Sequence, residues 1–186
     1  GALDGCLRHA ERYSKDRKQN RPLPKTFFDY RRMFDQMHGQ IDAVFVATPD
    51  HHHAPASIQA IKLGKHVYCE KPLTHSIYES RQLAQAAKEH KVATQMGNGG
   101  RAEQGWRILC EMIWAGVIGN VQEVHVWTDR PGIPKHFWWP QGGNRPAGCD
   151  PVPKSLNWDV WLGPAPERPY LGQYKEGKFQ GKSVYH

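Results

Sequence analysis

From residue 26 to about residue 128 the chain alternates short apolar runs with stretches whose apolar residues recur every three or four positions. Tyr30, Met33, Phe34 and Met37 follow the helical spacing, with Asp29 placed as N-cap and Gly39 as the stop. Residues 43–48 form a continuous apolar run, the pattern of a parallel strand buried on both faces. Pro55 suits a first helical turn, Ile58 and Ile61 share a face, and Gly64 ends that helix. Residues 66–70 predict a second strand. Ser76 and Glu79 have the spacing of a capping box and open a helix that runs to about His90. Residues 92–96 predict a third strand. Trp106, Leu109, Cys110, Ile113, Trp114 and Val117 make the stripe of an amphipathic helix closed near Gly116 or Gly119. Val124, Val126 and Thr128 alternate with Glu123, His125 and Trp127, which predicts a half-exposed strand. Strands and helices in this alternation predict an α/β fold wound in right-handed βαβ units.

Composition narrows the class. A chain of 186 residues holds one α/β domain and part of another. With 39% hydrophobic residues it buries a core, which excludes wholesale disorder. No apolar run approaches the roughly 20 residues of a membrane-spanning helix, so no membrane partner is expected. The four cysteines are scattered, with no C-x-x-C pair, which argues against a disulfide framework or structural zinc. The net charge of +7 is concentrated early: Arg8 to Lys25 holds seven basic residues and two acids. No stacking aromatics interleave them, so the run reads as a solvated helix and loop, and no nucleic-acid partner is expected. All seven tryptophans lie at or beyond Trp106 and nine prolines fall between Pro131 and Pro169, so residues 129–186 read as a long irregular segment. The chain opens at Gly1 without a basic-then-apolar leader, and the sequence assigns no compartment.

Ligands of open parallel sheets bind outside the carboxyl ends of the strands. Three such ends carry polar groups here: Thr48-Pro49-Asp50-His51-His52-His53, Glu70-Lys71-Pro72, and Gly97-Asn98-Gly99-Gly100-Arg101. Their convergence on one crevice is the main functional expectation. The three histidines do not point to a metal, because neighbours in an extended chain face opposite sides. Lys71 is an ammonium at a strand terminus before a proline, at a peptide bond that is a candidate for the cis form. It reads equally as a hydrogen-bond donor or proton carrier and as a surface lysine. Gly97-x-Gly99-x-x-Ala102 fits the loose dinucleotide pattern, with Glu123 near the spacing of a ribose acid, and fits a plain strand-to-helix turn as well.

Taken together, the segment from Ile41 through Thr48-Pro49-Asp50-x-x-His53, then Ala60-x-x-x-Gly64-Lys65-His66-Val67 and Glu70-Lys71-Pro72, resembles the Gfo/Idh/MocA oxidoreductases. Val121 onward resembles the first strand of that family's second domain. Trp158-Asp159-x-Trp161-Leu162-Gly163-Pro164-Ala165-Pro166 is similar to a motif of its sugar-active branch. The resemblance implies a partial NAD(P)-binding Rossmann domain over residues 1–120 and the beginning of a substrate and oligomerisation domain over 121–186. It implies that Thr48, Asp50 and His53 line the NAD or NADP cofactor, with Asp50 in place of the commoner Asn. Glu70, Lys71 and Asn98 are then expected at the nicotinamide end, with Lys71 as the catalytic donor to the reacting hydroxyl. The family's Gly-rich fingerprint belongs to its amino-terminal strand, which nothing before Asp4 supplies, and its catalytic Asp/His pair is expected to follow the Trp-Asp-x-Trp segment, beyond the end of this chain. The chain is therefore expected to be an internal piece of a longer enzyme, inactive by itself.

The implied function is hydride transfer between NAD(P) and a sugar, polyol or glycoside, in an enzyme that forms homo-oligomers when complete. Two other readings accompany it. One is a relative that retains NAD and cleaves glycosidic bonds by transient oxidation. The other is a non-catalytic binding module on the nucleotide fold.

Overall fold

The computed structural model describes residues 2–16, 22–127, 146–175, 180–181 and 184, with side chains from residue 5 onward. Thr128 and the part of the Trp- and Pro-rich segment up to residue 145 lie outside the described residues.

Helix α1 (Ala2–Asp16) carries the first half of the basic run, and its Arg8 and Arg12 are exposed, Arg12 reaching Asp16 at 3.7 Å. Helix α2 (Tyr30–Met37) begins where Asp29 caps it: the Asp29 Oδ1 accepts the Arg31 amide at 2.9 Å. A short 3-10 turn, His38–Gln40, ends it at the expected glycine. Strands β1 (Ala43–Val46), β2 (His66–Glu70) and β3 (Thr94–Gly97) then form one parallel sheet in the order β1-β2-β3. Val46 pairs with Cys69 and Glu70 with Gly97, so all three strands end along one edge. Helix α3 (His53–Lys62) joins β1 to β2, and α4 (Ile77–His90) joins β2 to β3. Ser76 and Glu79 close the expected capping box, and Lys91 turns the chain out of α4 at φ 52°.

The core lies between the sheet and α3 and α4. Val46, Val67 and Cys69 face Ala56, Ala60, Ile61, Leu83 and Ala86, and Phe34 of α2 closes the side. Ile61 and Cys69 are wholly buried, and burial pushes the Cys69 thiol above its usual range. Small residues on α3 let that helix lie close against the strands.

The sheet differs from expectation on its other face. Phe45 is 63% exposed and stacks on Tyr68 at 4.7 Å, whereas the apolar run of β1 predicts cover on both sides. Two successive right-handed crossovers put their helices on the same face. The face that carries Phe45 is left uncovered among the described residues.

Helix α5 (Gln104–Trp114) forms where its stripe predicts, yet none of its residues is buried. Ile108, Leu109, Met112 and Ile113 stay between about one third and one half exposed. The predicted strand over 123–127 is not a strand among the described residues; Val124 and Val126 are exposed there. A strand exists through its ladder partner, and alternation alone supplies none.

Helix α6 (Trp158–Leu162) orders the later segment. Asn157 caps it by accepting the Val160 amide at 3.1 Å. Trp158 stacks on Trp161 with ring centroids 5.0 Å apart, and the Trp158 indole N–H donates to the Arg168 carbonyl. Asp150 fastens the chain beyond it by accepting the Gly172 amide at 3.0 Å and the Lys175 ammonium at 2.6 Å.

Candidate functional site

The carboxyl edge of the sheet collects the three polar loops. After β1 the chain passes Thr48 and Pro49 into a 3-10 turn, Asp50–His52, and enters α3 at His53. After β2 it passes Glu70 and Lys71 into Pro72 across a cis peptide. After β3 it passes Asn98 into a second 3-10 turn, Gly99–Ala102. Neighbouring parallel strands lie about 4.8 Å apart, so loops leaving adjacent strand ends share one rim.

Two contacts tie these loops together. The carboxyl group of Glu70 lies against Gly97, where a Cβ would come within 2.8 Å of its oxygens, so the Glu70 side chain at the end of β2 folds over the end of β3. His53 joins β1 to β2. Its ring is 1% exposed, with Nε2 2.8 Å from the Thr48 carbonyl oxygen and Nδ1 2.5 Å from the Pro72 carbonyl oxygen.

The remaining site residues differ in access. Asp50 and Lys71 are exposed, while Thr48, Glu70 and Asn98 are half-buried. The Thr48 Oγ1 is shielded from solvent and has no hydrogen-bond partner among the described residues. A buried hydroxyl in that state carries an unspent donor and two unspent lone pairs at the strand end. His53, expected to line the cofactor, has both ring nitrogens facing backbone carbonyls. Glu123, the candidate ribose acid, has its carboxylate 3.1 Å from His125 Nε2 in an exposed pair.

The other two histidines turn away from His53 to a partner far along the chain. His51 Nε2 and His52 Nε2 lie 2.8 and 2.9 Å from the Trp161 carbonyl oxygen. Each ring donates there, which fixes the hydrogen on Nε2 in both. The His51 and Trp161 rings are 5.1 Å apart, and Tyr30 of α2 meets His52 edge-on at 6.3 Å. Burial lowers the His52 pKa below its usual range, and the Trp161 hydrogen bond opposes that only in part. Gly163 makes the approach possible: it sits at φ 51°, and a Cβ on it would overlap the His52 ring at Cε1 and come within 2.6 Å of Nε2. So α6 is strapped to the loop that follows β1. No local pattern announces a contact between residues 110 positions apart. The sequence signal for it is no more than a histidine run, a glycine and a Trp-rich motif.

Comparison with known proteins now bears on this arrangement. The model of the Gfo/Idh/MocA oxidoreductase family, NAD-binding Rossmann fold, matches residues 6–98, and that of its C-terminal α/β domain matches 106–186. The levoglucosan dehydrogenase of Pseudarthrobacter phenanthrenivorans is 32% identical over 93 residues, covering 50% of this chain and 23% of that protein. The 2,7-anhydro-N-acetylneuraminate hydratase of Escherichia coli is 36% identical over 92 residues, 50% of this chain and 24% of that protein. An inositol dehydrogenase homologue from Azotobacter vinelandii, crystallised with NADH and myo-inositol, is 33% identical at a TM-score of 0.48, over 50% of this chain and 25% of that one. The chain thus spans about a quarter of the length of the curated relatives it matches.

Proposed function

The chain belongs to the Gfo/Idh/MocA oxidoreductase family, and from that premise we propose that it carries part of an NAD-dependent oxidoreductase acting on a sugar or polyol. One observation carries the reading: three polar strand ends stand side by side on the carboxyl edge of a parallel sheet, linked by His53 and by Glu70 over Gly97. That edge is where open α/β sheets take nucleotide ligands. The unpartnered Thr48 hydroxyl fits a ribose or carboxamide group, which would satisfy it. Residues up to about 120 would serve the nucleotide and those from 121 the substrate.

When bound, NAD accepts or returns a hydride at its nicotinamide ring. Thr48 and Asp50 would hold the cofactor from the β1 side, and Glu70 and Asn98 from the β2 and β3 ends. Lys71 stands on the same rim with an exposed side chain. Its ammonium would donate to the oxygen of the reacting hydroxyl, orienting the carbinol and stabilising negative charge as the O–H proton leaves. That proton would pass to a base supplied beyond residue 121. The same reading makes the ligands small molecules rather than nucleic acid or membrane, and a homo-oligomer the working form.

Lys71→Met in the whole protein tests it. Turnover is expected to fall by orders of magnitude while calorimetric NAD affinity changes little. A variant that turns over like the wild type removes Lys71 from the mechanism. Sugar release without accumulation of NADH would instead assign the chemistry to transient oxidation with retained cofactor.

A further inference from the structure

We propose that His53 is a positioning residue, a latch that sets the Lys71–Pro72 turn against the loop holding Thr48 and Asp50; it rests on the reading of Lys71 given above. The geometry is that of a tie between loops. The ring sits at the first residue of α3, 1% exposed, and spans from the Thr48 carbonyl after β1 to the Pro72 carbonyl after β2. The His53 backbone N–H reaches a third point, donating to the Asp50 carbonyl. One residue therefore fastens Thr48, Asp50 and the peptide that follows Lys71. Both ring partners are carbonyl oxygens, so whichever nitrogen carries the ring hydrogen has an acceptor within reach.

The need for such a tie follows from where those carbonyls lie. Each belongs to a loop beyond the last ladder pairing, Val46 with Cys69 on that side of the sheet. The ladder therefore holds neither loop. Lys71 is exposed and its own side chain has many rotamers, so its reach is defined by the backbone on either side. β2 anchors that backbone before Lys71, and His53 anchors it directly after.

The test uses the whole protein and two variants, His53→Phe and His53→Gln. Phenylalanine keeps the ring volume and removes both ring nitrogens. The latch predicts a kcat lower on the order of a hundredfold, the penalty for displacing a group by about an ångström, with NAD affinity lowered by no more than about tenfold and substrate KM within about threefold of wild type. It also predicts, without any turnover, faster exchange of the His52 amide, which donates to the Pro49 carbonyl in the loop the ring holds, with unchanged exchange in α4 and β2. Glutamine supplies one donor group, and kcat recovers in part. Wild-type kcat and exchange in His53→Phe overturn the latch. Parallel loss of kcat, NAD affinity and exchange protection throughout overturns it too, and assigns the ring to core filling. If His53→Phe does not fold, His53→Gln decides: wild-type kcat with unchanged exchange at the His52 amide overturns the proposal. Lys71→Met run alongside keeps the two readings apart. An active Lys71→Met enzyme overturns the role of Lys71, and with it the catalytic purpose of the latch. An inactive one beside a fully active His53→Phe overturns the latch alone.

Discussion

Gly163→Ala is the sharpest probe of how the later segment is held to the sheet. The glycine sits at φ 51°, where an L side chain costs about 1–2 kcal/mol. Its Cβ would overlap the His52 ring, and His52 is 7% exposed, between Tyr30 and the Trp161 carbonyl, with little room to retreat. Relief of the overlap means withdrawing α6, and both histidine bonds to the Trp161 oxygen go with it. At about 0.5–1.5 kcal/mol for each bond, the loss is about 1–3 kcal/mol. Together the two effects come to about 3 kcal/mol, which is roughly a hundredfold in the docking equilibrium. Amide hydrogen exchange over 157–165 reads this directly, because the Trp161 and Gly163 amides bond within the α6 turn. Their protection is expected to fall about a hundredfold while β2 and α3 keep theirs, since Ile61, Cys69 and Val67 contact none of this segment's ring cluster. The overlap also predicts a coupled pair. In a double-mutant cycle with His52→Ala, the two substitutions are expected to be non-additive by about 1 kcal/mol or more. Unchanged exchange in Gly163→Ala, or strict additivity, would refute the strap.

Two further outcomes follow from the same geometry. His52 has a pKa held down by burial, so the folded arrangement disfavours its charged form. The strap is therefore at full strength above the unfolded histidine value near 6.5 and weakens as pH falls from there through the depressed folded value; exchange over 157–165 should quicken as the pH drops below about 6.5, and a flat profile would sink this account. Ser76→Ala removes the side chain that accepts the Glu79 amide at 3.2 Å and opens the capping box, so thermal or urea unfolding should show a loss of about 1 kcal/mol, against little change for an exposed residue of the same helix such as Arg81→Ala.

How much of this was legible in the sequence depended on the range of the interaction. Asp29, Ser76 with Glu79, Gly64 and the apolar run of β1 act on residues within a few positions, and each element they announce is present. The side-by-side placement of the strand ends was legible as well, because right-handed crossovers leave parallel strands little other arrangement. What α5 and residues 123–127 require is a partner surface, which periodicity implies and does not supply. The stripe made a helix, and its apolar side remains uncovered among the described residues.

Only the tertiary structure decided what the three histidines do. As a sequence they are one run with one chemistry. In the fold, the 3-10 turn that precedes α3 sends His51 and His52 to a carbonyl more than a hundred residues onward, and sends His53 inward between two strand ends. Local rules fix the backbone through hydrogen bonds closed within a turn or two. A ring's partners are fixed by whichever loops the completed sheet brings within about 3 Å of it, and that distance exists only after the chain has packed.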